Sequence, residues 1–107
     1  MGEILDKRFN EEIKRIGESK IRDPINKDYE MLKSHLVNLN FKDTAIDILS
    51  DGLKITLLFD EDRLLMITKR QRIIITFFIK KKLIWVDEIR DLNDFITKFN
   101  QYLKNKN

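Results

Sequence analysis

Two kinds of charged cluster in this chain have the residue types for chemistry. One is basic: Lys54, Lys69, Arg70 and Arg72 with Thr68 among them, followed by the run Lys80, Lys81 and Lys82. Guanidinium and ammonium groups beside a hydroxyl suit phosphate oxygens, because charge-assisted hydrogen bonds to ionised oxygen are the strong ones. The other is acidic, Asp60-Glu61-Asp62, and hard cations favour clustered carboxylates. Three adjacent turn residues cannot all aim at one ion, however, and no glycine follows them. Charge complementarity with the Lys80 to Lys82 run accounts for both clusters, so no metal site is expected.

Nothing in the sequence assembles a catalytic set. The single histidine, His35, sits beside the apolar stripe of its helix rather than on it and has no partner at ligand or base spacing. A restriction-type nuclease needs carboxylates and a Lys on adjoining strands to hold Mg²⁺ and polarise phosphate. The triplets that match, Glu12-Ile13-Lys14 and Glu18-Ser19-Lys20, fall in or just after a helix. There is no Gly-rich phosphate loop and no Ser-His-Asp arrangement. The sequence therefore reads as non-enzymatic, with no catalytic residue, no metal and no small-molecule cofactor.

The elements that would position the basic residues follow from periodicity. Leu5, Phe9, Ile13 and Ile16 make one face of a first helix, with Gly17 and Ser19 as terminators. Asp23 as N-cap and Pro24 at the first turn open a second helix, whose stripe is Ile25, Tyr29, Leu32, Leu36 and Leu39. The period then becomes alternating. Leu53 to Phe59, Arg63 to Thr68, Arg72 to Ile79 and Leu83 to Val86 read as strands, with Ile46 and Ile48 on one before them. Asp51-Gly52 predicts a two-residue type I′ hairpin, since both central residues must accept positive φ. A last helix begins near Asp87 and carries Leu92, Ile96, Phe99 and Leu103.

The expected fold is α+β: two N-terminal helices, a four- to five-stranded antiparallel meander, and a C-terminal amphipathic helix packed on the sheet. It forms a single domain over 1–107, with a helical hairpin over 1–40, the sheet over 44–86 and the last helix over 87–105. Three-residue loops set Leu57 opposite Leu65, Ile55 opposite Ile67, Ile67 opposite Ile73, Phe77 opposite Trp85 and Ile48 opposite Ile55. One face then collects Ile46, Ile48, Leu53, Ile55, Leu57, Phe59, Leu65, Ile67, Ile73, Ile75, Phe77, Ile79, Leu83 and Trp85. The other face is also rich in apolar residues: Leu58, Leu64, Met66, Ile74, Phe78, Ile84 and Val86 lie beside Lys54, Thr68 and Arg72. The C-terminal helix is expected on the first face. The N-terminal pair is expected on the second, unless a second copy of the chain covers it.

In outline, a meander followed by an amphipathic helix resembles the positive-cofactor type of single-stranded-DNA-binding protein. Five strands after a helix resemble Sm-type barrels. The strands from 53 to 86 lack the glycines a small barrel uses for its bends, and no motif of either family is present, so neither outline implies site residues.

Composition bounds the rest. The chain has 107 residues, 42% apolar and 36% charged, with 21 basic against 18 acidic side chains and a net charge of +3. An excess this small does not by itself point to nucleic acid, and only its distribution could. With no cysteine, disulfides and thiolate metal sites are excluded. A charged N-terminus and the lack of a long apolar run predict a soluble, cytoplasmic protein with no membrane partner.

In the expected register Lys54, Thr68, Lys69, Arg70 and Arg72 converge within roughly 10 Å at the Asp-Gly end of the sheet, since strands lie about 5 Å apart. Two functions follow. The leading one is a small nucleic-acid-binding protein that grips phosphate backbone with these residues and with Lys80, Lys81 and Lys82. The alternative is a protein-protein interaction module, a small regulator or inhibitor that could be a homodimer, using the second sheet face or a helix stripe. The cations also have a purely structural reading, as solvated charge that keeps sheet edges from aggregating.

Overall fold

A computed structural model describes residues 2–17 and 23–105 of the chain. In order they form α1 (Gly2–Ile16), α2 (Asp23–Leu36), β1 (Asp43–Leu49), β2 (Gly52–Leu58), β3 (Arg63–Lys69), β4 (Ile73–Ile79), β5 (Lys82–Ile89) and α3 (Leu92–Asn105). The five strands make one antiparallel meander in sequence order. The α+β arrangement read from the sequence is therefore the one present. Ser19 and the side chain of Asp23, the expected terminator and N-cap, lie outside the described residues.

Helix α1 ends where expected. Gly17 adopts φ +100°, open to glycine at no steric cost, and its N–H donates to the Ile13 carbonyl at 2.8 Å. The two N-terminal helices are joined by a stacked pair, Phe9 on Tyr29, with ring centroids 3.9 Å apart. Beside it the Tyr29 hydroxyl donates to Asp6 at 2.6 Å and Lys33 Nζ donates to the same carboxylate at 2.9 Å. These hydrogen bonds, Tyr29 first, hold the Asp6 carboxyl below the usual range. Burial, reinforced by Asp6, pushes the Tyr29 phenol up.

The β2–β3 register is the expected one, with Leu57 opposite Leu65 and Ile55 opposite Ile67. Two neighbouring registers are shifted by two residues. Ile67 lies opposite Ile75 rather than Ile73, and Ile48 opposite Leu53 rather than Ile55. A shift of two leaves every side chain on its expected face, which is why the facial pattern survives. The cause is where the turns fall: Ser50-Asp51 joins β1 to β2, and Arg70-Gln71-Arg72 joins β3 to β4.

The expected type I′ turn at Asp51-Gly52 is not formed. Left-handed φ occurs instead at Lys80 (53°) and Lys81 (67°), so the two-residue turn with this geometry joins β4 to β5. Gly52 answers a different need. A Cβ there would stand 2.2 Å from the Lys69 carbonyl oxygen, so glycine permits the close approach of the β2 and β3 backbones. Strand β5 also runs on to Ile89, paired with Ile73, and α3 starts later than expected. Its cap is Asp91, whose carboxylate accepts the Asp94 N–H at 3.2 Å, and not Asp87, which lies within the strand.

All three helices cover one face of the sheet. A single buried core unites Leu5 and Phe9 of α1, Tyr29 and Leu32 of α2, and Ile96 and Phe99 of α3 with Leu53, Ile55, Leu57, Leu65, Ile67, Ile75 and Phe77. Phe77 is ringed by Trp85, Phe99 and Tyr102, at centroid distances of 4.8, 5.1 and 5.7 Å. The expectation that the N-terminal pair covers the second face is thus corrected. The stacked Phe9 and Tyr29 lie on the β1 and β2 side of the same face whose β4 and β5 end Phe99 of α3 packs on, which leaves no helix among the described residues for the other side.

The two sheet edges also differ. At β1, α1 runs alongside the strand, and buried Glu12 accepts the outward Ile48 N–H at 3.1 Å while Arg15 Nε reaches its other oxygen at 2.5 Å. Arg15, with help from the Ile48 amide, keeps Glu12 ionised to lower pH than usual. At β5 no further strand follows among the described residues.

Candidate interaction surface

The uncovered face presents Leu58 from β2, Leu64 and Met66 from β3, Ile74 and Phe78 from β4, and Leu83 and Val86 from β5. Leu58, Leu64, Met66 and Phe78 are half-buried by their neighbours on the sheet alone, whereas Ile74, Leu83, Ile84 and Val86 are 43 to 59% exposed. Leu83 was expected in the core. A bulge in β5 sets Phe77 opposite Trp85 but Phe78 opposite Leu83, and this extra residue turns Leu83 to the open side. Sequence alternation gives no warning of a bulge, so Leu83 was the one open-face residue assigned to the wrong side.

With five strands spaced about 4.8 Å apart and about seven residues per strand at 3.3 Å each, the face measures on the order of 500 Å². Only part of that area is apolar, since Lys54, Thr56, Thr68, Thr76 and Glu88 share the face; exposed apolar patches rimmed by polar residues commonly mark binding sites.

The predicted basic residues divide between the two ends of the sheet. Lys54, Thr68, Lys69, Arg70 and Arg72 meet at the end where β1 turns to β2 and β3 to β4, with Lys54 opposite Thr68 as expected. The two-residue shift sets Thr68 opposite Ile74, where the register with Ile67 opposite Ile73 would set it opposite Arg72. Lys80, Lys81 and Lys82 sit at the far end, beside the acidic turn, where the Lys80 N–H donates to the Asp62 carbonyl at 2.7 Å.

At the first end each cation faces a carboxylate. Lys54 is 4.0 Å from Asp47, Lys69 3.8 Å from Asp28, Arg70 3.1 Å from Asp51 and Arg72 3.3 Å from Glu88. Lys69 also turns to the helix side and donates to the Arg70 carbonyl at 2.6 Å. These acids were not foreseen as partners. With β1 in its true register Asp47 stands directly opposite Lys54, so the two-residue slip concealed the pair. Beside these residues is a cleft of about 560 Å³, lined by Pro24, Ile25 and Asp28 of α2 and by Ser50, Asp51, Thr68, Arg70, Gln71, Arg72 and Ile74.

The acidic turn is accounted for by its own backbone. Asp60 accepts the Asp62 and Arg63 amides at 2.8 and 2.7 Å and the Arg63 Nε at 2.7 Å. These donors, the Arg63 side chain first, hold its carboxyl below the usual range. Among the described residues no group of three His, Cys, Asp or Glu is placed to hold a metal ion, and no helix is long and apolar enough to cross a membrane.

Comparison of the chain with protein-family models, with curated proteins and with solved structures finds no match.

Proposed function

We propose that the chain is a non-enzymatic, cytoplasmic protein-interaction module that docks an apolar protein surface on the open face of its sheet. The observation that carries this reading is the asymmetry of the fold: three helices on one face and a row of large apolar side chains bare on the other. Exposed apolar area of this extent is costly in water, and covering it is the main source of association free energy.

The test is site-specific. A benzophenone amino acid replaces Met66 on the open face, or Thr97 on the exposed surface of α3, and the full chain is irradiated in the cell. The expected result is a discrete protein adduct from the Met66 position only, lost when Phe78→Lys is added. No adduct at that position, or an adduct with nucleic acid, overturns the reading.

A second reading, binding of nucleic-acid backbone, has one observation in its favour. Arg70 and Arg72 line the 560 Å³ cleft with 55% and 72% of their side chains exposed. Their pairing with Asp51 and Glu88 reduces the charge on offer, and no aromatic side chain lines the cleft for stacking on a base. If this reading is correct, oligonucleotide affinity falls with salt at a logarithmic slope of about −3 to −5, and the pair Arg70→Ala, Arg72→Ala flattens it. No binding of DNA or RNA at about 50 mM salt removes it.

A further inference from the structure

We propose that β5 is a self-recognition edge: two copies of the chain pair their β5 strands antiparallel about a two-fold axis, joining two five-stranded sheets into one. This rests on the reading of the open face, because Leu83 and Val86 belong to both. Strand β5 ends the sheet, and six of its eight residues are exposed. Beyond its pairing with β4, its backbone takes part in a local hydrogen bond, the Asp87 carboxylate accepting the Glu88 N–H at 2.8 Å, and the Glu88 carboxylate accepts from Arg72 at 3.3 Å. An edge of this kind is a template for another strand unless something blunts it.

The distribution of charge selects the partner. The strand begins at Lys82, directly after the turn residue Lys81, continues Leu83-Ile84-Trp85-Val86, and ends Asp87-Glu88-Ile89. Run antiparallel against itself, with the axis between Ile84 and Trp85, it sets Lys82 opposite Asp87 of the second copy, and the turn residue Lys81 lies beyond that pair on the side of Glu88, whose carboxylate Arg72 also meets. Leu83 then lies opposite Val86. Cross-strand neighbours must share a face, and the bulge makes this register agree. Leu83, opposite Phe78, and Val86, opposite Thr76, are both on the open face, while Lys82 and Asp87, opposite Ile79 and Ile75, are both on the helix side. A parallel alignment sets Lys against Lys and Asp against Asp, which is repulsive. Lysines at a free edge ordinarily keep other strands away. Here the complement that Lys82 needs, Asp87, is five residues further along the same strand.

The joined sheet also extends the apolar face without a break, since Leu83 and Val86 of both copies lie along the seam. Backbone hydrogen bonds would give the contact its direction and the paired charges its register.

Sedimentation and light scattering over about 1 to 500 µM test the inference, because association through one interface follows mass action. The expected result is a mass rising to twice the 12.9 kDa of one chain. The variant Lys81→Glu, Lys82→Glu stays monomeric, as does Asp87→Lys, Glu88→Lys, because each opposes like charges. An equimolar mixture of the two restores the dimer, which also shows that both variants fold. With no native cysteine, the double variant Leu83→Cys, Val86→Cys forms an intermolecular disulfide on oxidation and neither single variant does. A strict monomer at every concentration overturns the inference. A dimer that survives both charge reversals also overturns it, but that result seats the copies face to face and leaves the open-face reading standing. Loss of the Met66 adduct removes the open-face reading whatever the edge does.

Discussion

The two faces of the sheet are built from similar residues and put to opposite uses. Phe77 and Phe78 are neighbours in sequence and both large. Phe77 is fully buried within a ring of aromatic side chains, whereas Phe78 lies half-buried on a face with no second layer. The edges repeat the contrast. β1 is closed by α1 through Glu12, and β5 is left open with Leu83, Ile84 and Val86 exposed. Apolar composition therefore does not say where the core is; what decides is which face the connected helices can reach. The closed side carries the core of the fold, and the open side is left uncovered.

The largest expected effect separates adjacent residues. Phe77→Ala costs about 3–5 kcal/mol of unfolding free energy, the range for emptying a packed aromatic site. Phe78→Ala costs under about 1 kcal/mol, because its side chain leaves no enclosed cavity. Urea denaturation of the two variants at a concentration where the wild type is monomeric measures both. Equal losses would erase the distinction between the faces.

The edges are compared by removing what closes one of them. Glu12→Ala leaves the Ile48 amide without its acceptor and costs about 1–3 kcal/mol, the penalty for an unsatisfied buried polar group. In hydrogen exchange the Ile48 amide of this variant approaches the rates of the outward amides of β5. If it stays protected, α1 closes the edge by covering it rather than by the hydrogen bond.

Acid should act on the closed side as well. The Glu12 and Asp6 carboxyls are held below their ordinary values of 4.5 and 3.8, Glu12 by Arg15 and Asp6 by Tyr29. A depressed pKa contributes stability that is complete above the unfolded value and is lost as pH falls through the folded one. Stability should thus be flat from neutral pH down to about pH 5 and decline below it. Glu12→Gln and Asp6→Asn should each make that decline shallower, as followed by thermal melts between neutral and acid pH. A decline as steep in both variants would show that other carboxylates dominate.

The smallest effect belongs to the open side. Ile74→Thr and Val86→Thr keep β-branched side chains on exposed strand positions and change stability by about 0.5 kcal/mol or less. A loss well above that in the monomer would mean the face is covered within the single chain.

Much of this is legible in the sequence. Alternation over Ile73 to Ile79 and the helical stripes at Leu5, Tyr29 and Phe99 identify strands and helices and sort most side chains by face, because these patterns depend only on local geometry. Turn chemistry misled at Asp51-Gly52. The left-handed pair falls on Lys80 and Lys81, and Gly52 is required by the Lys69 carbonyl pressing on it. The strand pairing and turns that bring Lys54, Lys69, Arg70 and Arg72 to one end of the sheet are legible, but the acids that meet them are not, since Asp28, which meets Lys69, comes from a helix and Glu88, which meets Arg72, from beyond the expected end of β5. The run that reads as a covered central strand, Ile73 to Ile79, is covered on one face only.

The sequence by itself determined the elements, their order, and which side chains share a face, because alternation and helical period are properties of a chain against its nearest neighbours. Only the tertiary structure decided that all three helices lie on one side, that one bulge exposes Leu83, and that β1 is closed while β5 is open. Those outcomes depend on contacts between residues far apart in the chain, Glu12 with Ile48 and Phe77 with Phe99, and no local pattern encodes which of two apolar faces such contacts will choose.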